Sequence, residues 1–172
     1  MNPLNQKALA FAVKAHEGQF RKDGKTPYIV HPIGVAERLM RWGIDDSNPI
    51  IAAAYLHDTL EDTDTQLWQL AAELGDEIAC LVVDVTFYGD SKSDKQAWLD
   101  GIATSRGHAK LLKAADCLCN VEDFIRDGKY AYAIEYLDRY DKIFEAIIKY
   151  PFSDTVYREI KELEKKVREA MS

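Results

Sequence analysis

The stretch 52–62, A-A-A-Y-L-H-D-T-L-E-D, constrains the chain more than any other. Its first five residues are apolar and belong in a core. Its last six place His57, Asp58, Glu61 and Asp62 on the continuation of the same helix, with His57 paired to Glu61 and Asp58 to Asp62 at a spacing of four. Side chains four apart on a helix lie one turn above the other. Three carboxylates beside a buried segment are costly unless something positive offsets them. A divalent metal meets that need, since imidazole and carboxylate are both good ligands. The plainer reading is a solvated helix end, with Asp62 or Asp64 capping the next helix. A fold that accommodates the first reading must bring further ligands from elsewhere.

The length of 172 residues fits one domain, large enough to bury a core without disulfides or structural zinc. We expect one helical body over 1–150 and a C-terminal helix over 151–172 packed on it or extending from it. A formal net charge of -7, from 22 basic and 29 acidic residues, excludes a general nucleic-acid or membrane surface. It leaves room for a local basic patch. Cys80, Cys117 and Cys119 form no regular framework, which predicts reduced thiols and a cytoplasmic setting. The C-x-C of Cys117 and Cys119 reads as helix packing. No export signal and no bilayer-length apolar run is expected.

Apolar periodicity predicts helices throughout. The first runs from Asn5 to His16. A polar loop with Arg21, Lys22 and Lys25 follows, readable as solvated cations or as an anion clamp. A second helix starts near Pro32, with His31 at its entrance, and Gly43 stops it. Asp46 or Ser47 is expected to cap a third, which carries Ile50, Ile51 and the polar cluster through Asp62. Thr63 or Asp64 starts a helix to about Leu74, and Glu77 to Val85 another. Lys95 to Ile102, His108 to Ile125 and Tyr130 to Tyr150 continue the pattern, the last ended by Pro151. Asp154 caps a final charged helix. Asp116 sits among small and apolar neighbours with Asn120 four residues on, an unusual place for a solvated acid.

His31, His57, Asp58 and Asp116 are therefore the candidate metal ligands, drawn from three segments as helical bundles often do. Two imidazoles and two carboxylates suit Mn²⁺ or Fe²⁺, and Zn²⁺ is compatible. Glu61 and Asp62, one turn beyond two of the ligands, are placed to take a proton from an activated water. With Arg21 and Lys22 nearby through His31, the set points to a phosphohydrolase. His16 and His108 are less informative: His16 is a pocket or core histidine, His108 an exposed one.

Three motifs carry a family resemblance. They are A-x-x-A-H-x-G-Q-x-R-K-x-G-x-x-P-Y-I-x-H-P at 12–32, A-A-x-L-H-D-T-x-E-D-T at 53–63, and K-x-A-D-x-L-x-N at 113–120. The chain resembles the HD superfamily of metal-dependent phosphohydrolases, and within it the hydrolase domain of the RelA/SpoT alarmone enzymes and their small stand-alone relatives. The resemblance implies an all-α HD-domain bundle with a buried mononuclear site. It implies Mn²⁺, ahead of Fe²⁺ or Zn²⁺, held by His31, His57, Asp58 and Asp116. It implies water activation by Glu61 and Asp62, and substrate contacts from Arg21, Lys22 and Asn120. The expected reaction removes the 3′-pyrophosphate from guanosine tetra- or pentaphosphate. The expected partner is thus a guanosine-based nucleotide, with no nucleic acid or membrane partner. After Asp116 the chain departs from the family pattern: Cys117 and Cys119 flank Leu118, and Val121, Glu122 and Asp123 follow Asn120. Those changes bear on the base pocket and leave open a different nucleoside phosphate, or a nucleotide-binding sensor with little turnover.

Overall fold

In a computed structural model, residues 1–105, 107–147, 150 and 153–172 are described. The described residues are helical, with an isolated bridge between Phe20 and Pro27 and no strand among them. The chain divides into two compact units, Met1–Tyr88 and Gly89–Ser172.

The first unit holds α1 (Pro3–Ala15), α2 (Val30–Arg41), α3 (Pro49–Leu56), α4 (Thr59–Asp62), α5 (Leu67–Leu74) and α6 (Asp76–Val85). Its centre is α3. Every residue from Ile50 to Leu56 is buried, as expected for a helix apolar on all sides. α1, α2 and α6 all pack on it. The three alanines at 52–54 let those neighbours approach closely, and Ile50, Ile51 and Leu56 fill the space between. Each such aliphatic side chain contributes about 2 kcal/mol when fully buried.

Asn48, rather than Asp46 or Ser47, caps α3: its Oδ1 accepts from the Ile50 N–H at 3.1 Å, and Pro49 fills the first helical position. Asp46 is committed elsewhere. It accepts from the Asn2 N–H at 2.6 Å and from Asn5 Nδ2 at 2.8 Å, which ties the start of α1 to the α2–α3 loop. The expected single helix through Asp62 is also broken. α3 ends at Leu56 and α4 begins at Thr59, because side chains take the last carbonyls of α3. His57 Nδ1 bonds the Ala54 oxygen at 2.8 Å, and Thr59 Oγ1 donates to the Leu56 oxygen at 2.7 Å. The step between α4 and α5 likewise starts later than Thr63 or Asp64. Gln66 caps α5, exchanging hydrogen bonds with Gln69.

The second unit holds α7 (Lys92–Thr104), α8 (Ala109–Arg126), α9 (Tyr130–Arg139), α10 (Asp141–Ile147) and α11 (Ser153–Met171). α8 is its spine, packing against α7, α9, α10 and α11, and α11 packs chiefly on α9. The helix expected over Tyr130 to Tyr150 is two helices. The chain turns at Tyr140, whose N–H closes a tighter turn on the Leu137 oxygen at 3.0 Å. Tyr140 is buried at the turn, stacked on Tyr136 with ring centroids 5.0 Å apart. Anchoring that ring bends the aromatic run, and Asp141 starts the next helix at its favourable acidic end. Pro151, expected to end this segment, lies outside the described residues. No helix among the described residues is long and apolar enough to cross a membrane.

Candidate metal centre

Three helix termini meet in the first unit. His31 lies in the first turn of α2, His57 caps α3, and Asp58 precedes α4. One ligand atom from each lies within 4.8 Å of the others. His57 Nε2 is 3.1 Å from Asp58 Oδ2, and His31 Nε2 is 3.6 Å from the same oxygen. Both imidazoles are buried, with ring centroids 5.2 Å apart.

The chemistry of this set fits a divalent cation. The Ala54 carbonyl can only accept, so His57 Nδ1 carries the hydrogen of their 2.8 Å bond. In a neutral imidazole Nε2 then holds a lone pair, and it faces a carboxylate oxygen 3.1 Å away. Two electron-rich atoms that close need a cation or a proton between them. A histidine whose other ring nitrogen donates to a backbone carbonyl is also the usual arrangement for a metal ligand.

The carboxylates next to the cluster are tied down by the loop between α1 and α2. The Tyr28 hydroxyl is 2.8 Å from Asp58 Oδ2 and 2.7 Å from Asp62 Oδ2. Burial first, then the Asp58 and Asp62 charges, push this phenol well above its ordinary range. It therefore stays protonated and acts as a donor. Gln19 Nε2 donates to the Asp62 carbonyl at 2.6 Å, and Gln19 Oε1 is 2.7 Å from His16 Nδ1. His16, in turn, stacks on Tyr28 with centroids 4.6 Å apart. Sequence reasoning quoted Tyr28 and Gln19 within a motif and gave neither a role. Their contacts with Asp62 span 34 and 43 positions, beyond any local periodicity.

The other expected site residues are placed as follows. Glu61 is exposed, and its Oε1 accepts from the Phe87 N–H at 2.7 Å. The Arg21 guanidinium lies 5.3 Å from the Tyr28 ring centroid, and Lys22 is exposed on the same loop. Asp116 belongs to the second unit, buried on α8. Its Oδ2 is 2.7 Å from Lys113 Nζ, and its Oδ1 accepts from Asn120 Nδ2 at 2.7 Å. Lys113, one turn before Asp116, is the compensating charge that the sequence reading overlooked. The i, i+3 spacing was the available signal. Cys117 and Cys119 are buried in α8, as packing residues would be, and Glu122 is exposed.

An HD-domain family model matches residues 8–124, which contain every one of these groups. The chain belongs to the HD-domain family. This HD domain is 33% identical over 148 residues to the Xenopus tropicalis guanosine-3′,5′-bis(diphosphate) 3′-pyrophosphohydrolase MESH1, covering 83% of this chain and 81% of the relative. The Homo sapiens protein of the same name is 42% identical over 126 residues, covering 69% of this chain and 68% of the relative. A solved structure described as a metazoan ortholog of SpoT that hydrolyses ppGpp superposes with a TM-score of 0.81 at 25% identity, covering 96% of each chain. With its two buried histidines and half-buried Asp58, this HD domain is a metal-dependent phosphohydrolase.

Proposed function

We propose that this HD domain removes the 3′-pyrophosphate from guanosine 3′,5′-bis(diphosphate) or guanosine 3′-diphosphate 5′-triphosphate. Water adds to the phosphorus bonded to the ribose 3′ oxygen, that P–O bond breaks, and pyrophosphate leaves as the 3′ oxygen takes a proton. The observation that carries the reading is the His31, His57 and Asp58 cluster, in a chain similar over most of its length to enzymes named for this reaction. His31, His57, Asp58 and, from the motif on α8, Asp116 are the proposed metal ligands. The mixed nitrogen and oxygen donors suit Mn²⁺ or Fe²⁺, and the family resemblance puts Mn²⁺ ahead of Fe²⁺ or Zn²⁺. A divalent ion there would supply Lewis-acid assistance to water and phosphate.

The chain's own groups do the rest. Asp62, held by Tyr28, takes the proton from water. Glu61 lies on the preceding position and shares that work. Arg21 and Lys22 bind the phosphates, Arg21 with a forked donor set and Lys22 as a mobile charge. Asn120 contacts the nucleotide. A cytoplasmic setting accords with three cysteines that form no disulfide among the described residues.

One observation favours a second reading, an HD phosphohydrolase of another nucleoside phosphate. Where the family pattern commonly has Arg or Thr after the Asn, this chain has Val121, which is fully buried, and Glu122, which is exposed. The test is product analysis for guanosine and adenosine 3′,5′-bis(diphosphates), with and without Mn²⁺. Mn²⁺-dependent release of pyrophosphate from the guanosine compound supports the first reading. Turnover of another nucleotide alone supports the second.

A further inference from the structure

Tyr28 holds a position that neither a metal ligand nor a phosphate clamp explains. Its single hydroxyl hydrogen faces two carboxylate oxygens, Asp58 Oδ2 at 2.8 Å and Asp62 Oδ2 at 2.7 Å. Asp58 is a proposed ligand and Asp62 a proposed base. Without a donor between them, two carboxylates at this spacing repel, and the more exposed Asp62 would swing towards solvent.

The same loop holds the Asp62 backbone by a second route. Gln19 Nε2 donates to the Asp62 carbonyl at 2.6 Å. That donation leaves Gln19 Oε1 as an acceptor, so His16 Nδ1 must carry the hydrogen of their 2.7 Å bond. His16 is buried and stacked on Tyr28 at an interplanar angle of 21°. The loop is itself fixed by Arg21 N–H to the Thr26 oxygen at 2.8 Å and Tyr28 N–H to the Gln19 oxygen at 3.0 Å. Tyr28 and Gln19 are thus bonded to each other through the backbone, and both reach Asp62, one by its carboxylate and one by its carbonyl.

We propose that the loop between α1 and α2 is a clasp that positions Asp62, with Tyr28 as its principal positioning residue and the His16–Gln19 pair as its support. The proposal rests on the assignment of Asp62 as base. Tyr28 touches neither the reacting phosphorus nor the water in this role. It acts by keeping the Asp62 carboxylate beside Asp58 in one orientation. The arrangement also couples the clasp to the substrate loop, because Arg21 lies between Gln19 and Tyr28 in the chain and over the Tyr28 ring.

The test is a double-mutant cycle with Tyr28→Phe and Asp62→Asn, measured on the nucleotide that the wild type hydrolyses. Phenylalanine keeps the ring that stacks on His16 and removes only the hydroxyl. We expect kcat of Y28F to fall about 10- to 100-fold, the usual range for losing a partner that orients an active group. KM should stay within about twofold, and Mn²⁺ affinity by calorimetry within about threefold, of the wild type. In the D62N background the same change should cost less than about twofold, since Tyr28 acts through Asp62. Equal costs of Y28F in both backgrounds would overturn the proposal. So would a raised KM at unchanged kcat, which marks a substrate contact, or a loss of Mn²⁺ binding, which marks a prop for the metal ligands. Wild-type activity confined to a different nucleotide would sink the substrate assignment while the cycle still decides the clasp. A wild type that hydrolyses no nucleotide overturns both.

Discussion

A single hydrogen bond distinguishes the two acids at the end of the polar run. Asp62 is held by Tyr28, whereas Glu61 Oε1 accepts from the Phe87 N–H at 2.7 Å. Glu61→Gln keeps a carbonyl oxygen for that N–H and removes the negative charge. We expect E61Q to retain the wild-type Tm within about 2 °C and Mn²⁺ affinity within about threefold, while kcat falls by more than about tenfold. Steady-state kinetics beside a thermal melt checks this, and wild-type turnover would return Glu61 to a purely structural part. The cluster of His31, His57 and Asp58 was legible in the sequence, His57 and Asp58 because polar types end an apolar run and His31 because it stands at a helix entrance. Tyr28 was not, because a tyrosine in a glycine- and proline-rich loop carries no such cost. Its partners are set by where the loop lands. Lys113 was passed over for the opposite reason: a lysine on a helix is ordinary until it is found buried against Asp116.

At the level of helices, apolar spacing located most of the elements, while their ends were set by side chains reaching backbone groups. Asn48, Gln66 and Ser91 cap α3, α5 and α7, and each is separated by two or more positions from at least one equally plausible capper or start in the sequence. Gly75 joins α5 to α6 at φ 90° and ψ 159°, a backbone conformation that L side chains rarely adopt. An added Cβ there meets nothing within 4 Å, so the cost of Gly75→Ala is the backbone strain alone. We expect a loss of about 1–3 kcal/mol, read as a lowered denaturant midpoint at unchanged m-value. The bend between α9 and α10 has a pH signature. Burial pushes the Tyr140 phenol well above 10.0, and Tyr136 likewise, with the neighbouring Asp116 charge adding to both. Below about pH 10 both phenols are protonated in the folded and unfolded chains and contribute no slope. Above it the unfolded chain releases protons that the folded one retains, so stability falls as pH rises, by up to about 1.4 kcal/mol per pH unit for each phenol. Tm measured from about pH 8 to about pH 11 should therefore drop at the alkaline end, and less steeply in Tyr140→Phe.

For the molecule as a whole, the helical content follows from the pattern of apolar residues. The division after Tyr88 was not legible, because no proline- or glycine-rich linker marks it and each side reads as a run of similar helices. That division gives the protein its own optical labels. The chain has three tryptophans: Trp42 and Trp68 in the first unit and Trp98 in the second. Trp42 is buried and Trp68 is exposed, while Trp98 lies with Lys113 Nζ 5.1 Å from its ring centroid. Emission from a Trp98→Phe variant thus reports the unit carrying His31, His57 and Asp58, and emission from a Trp42→Phe/Trp68→Phe variant reports the unit carrying Asp116. Mn²⁺ at about 100 times its Kd stabilises whatever binds it by about 2.7 kcal/mol. The urea midpoint seen by W98F should rise accordingly. If the proposed ligand role of Asp116 holds, the urea midpoint reported by Trp98 in the Trp42→Phe/Trp68→Phe variant should rise with Mn²⁺ as well, and Asp116→Ala should abolish that rise.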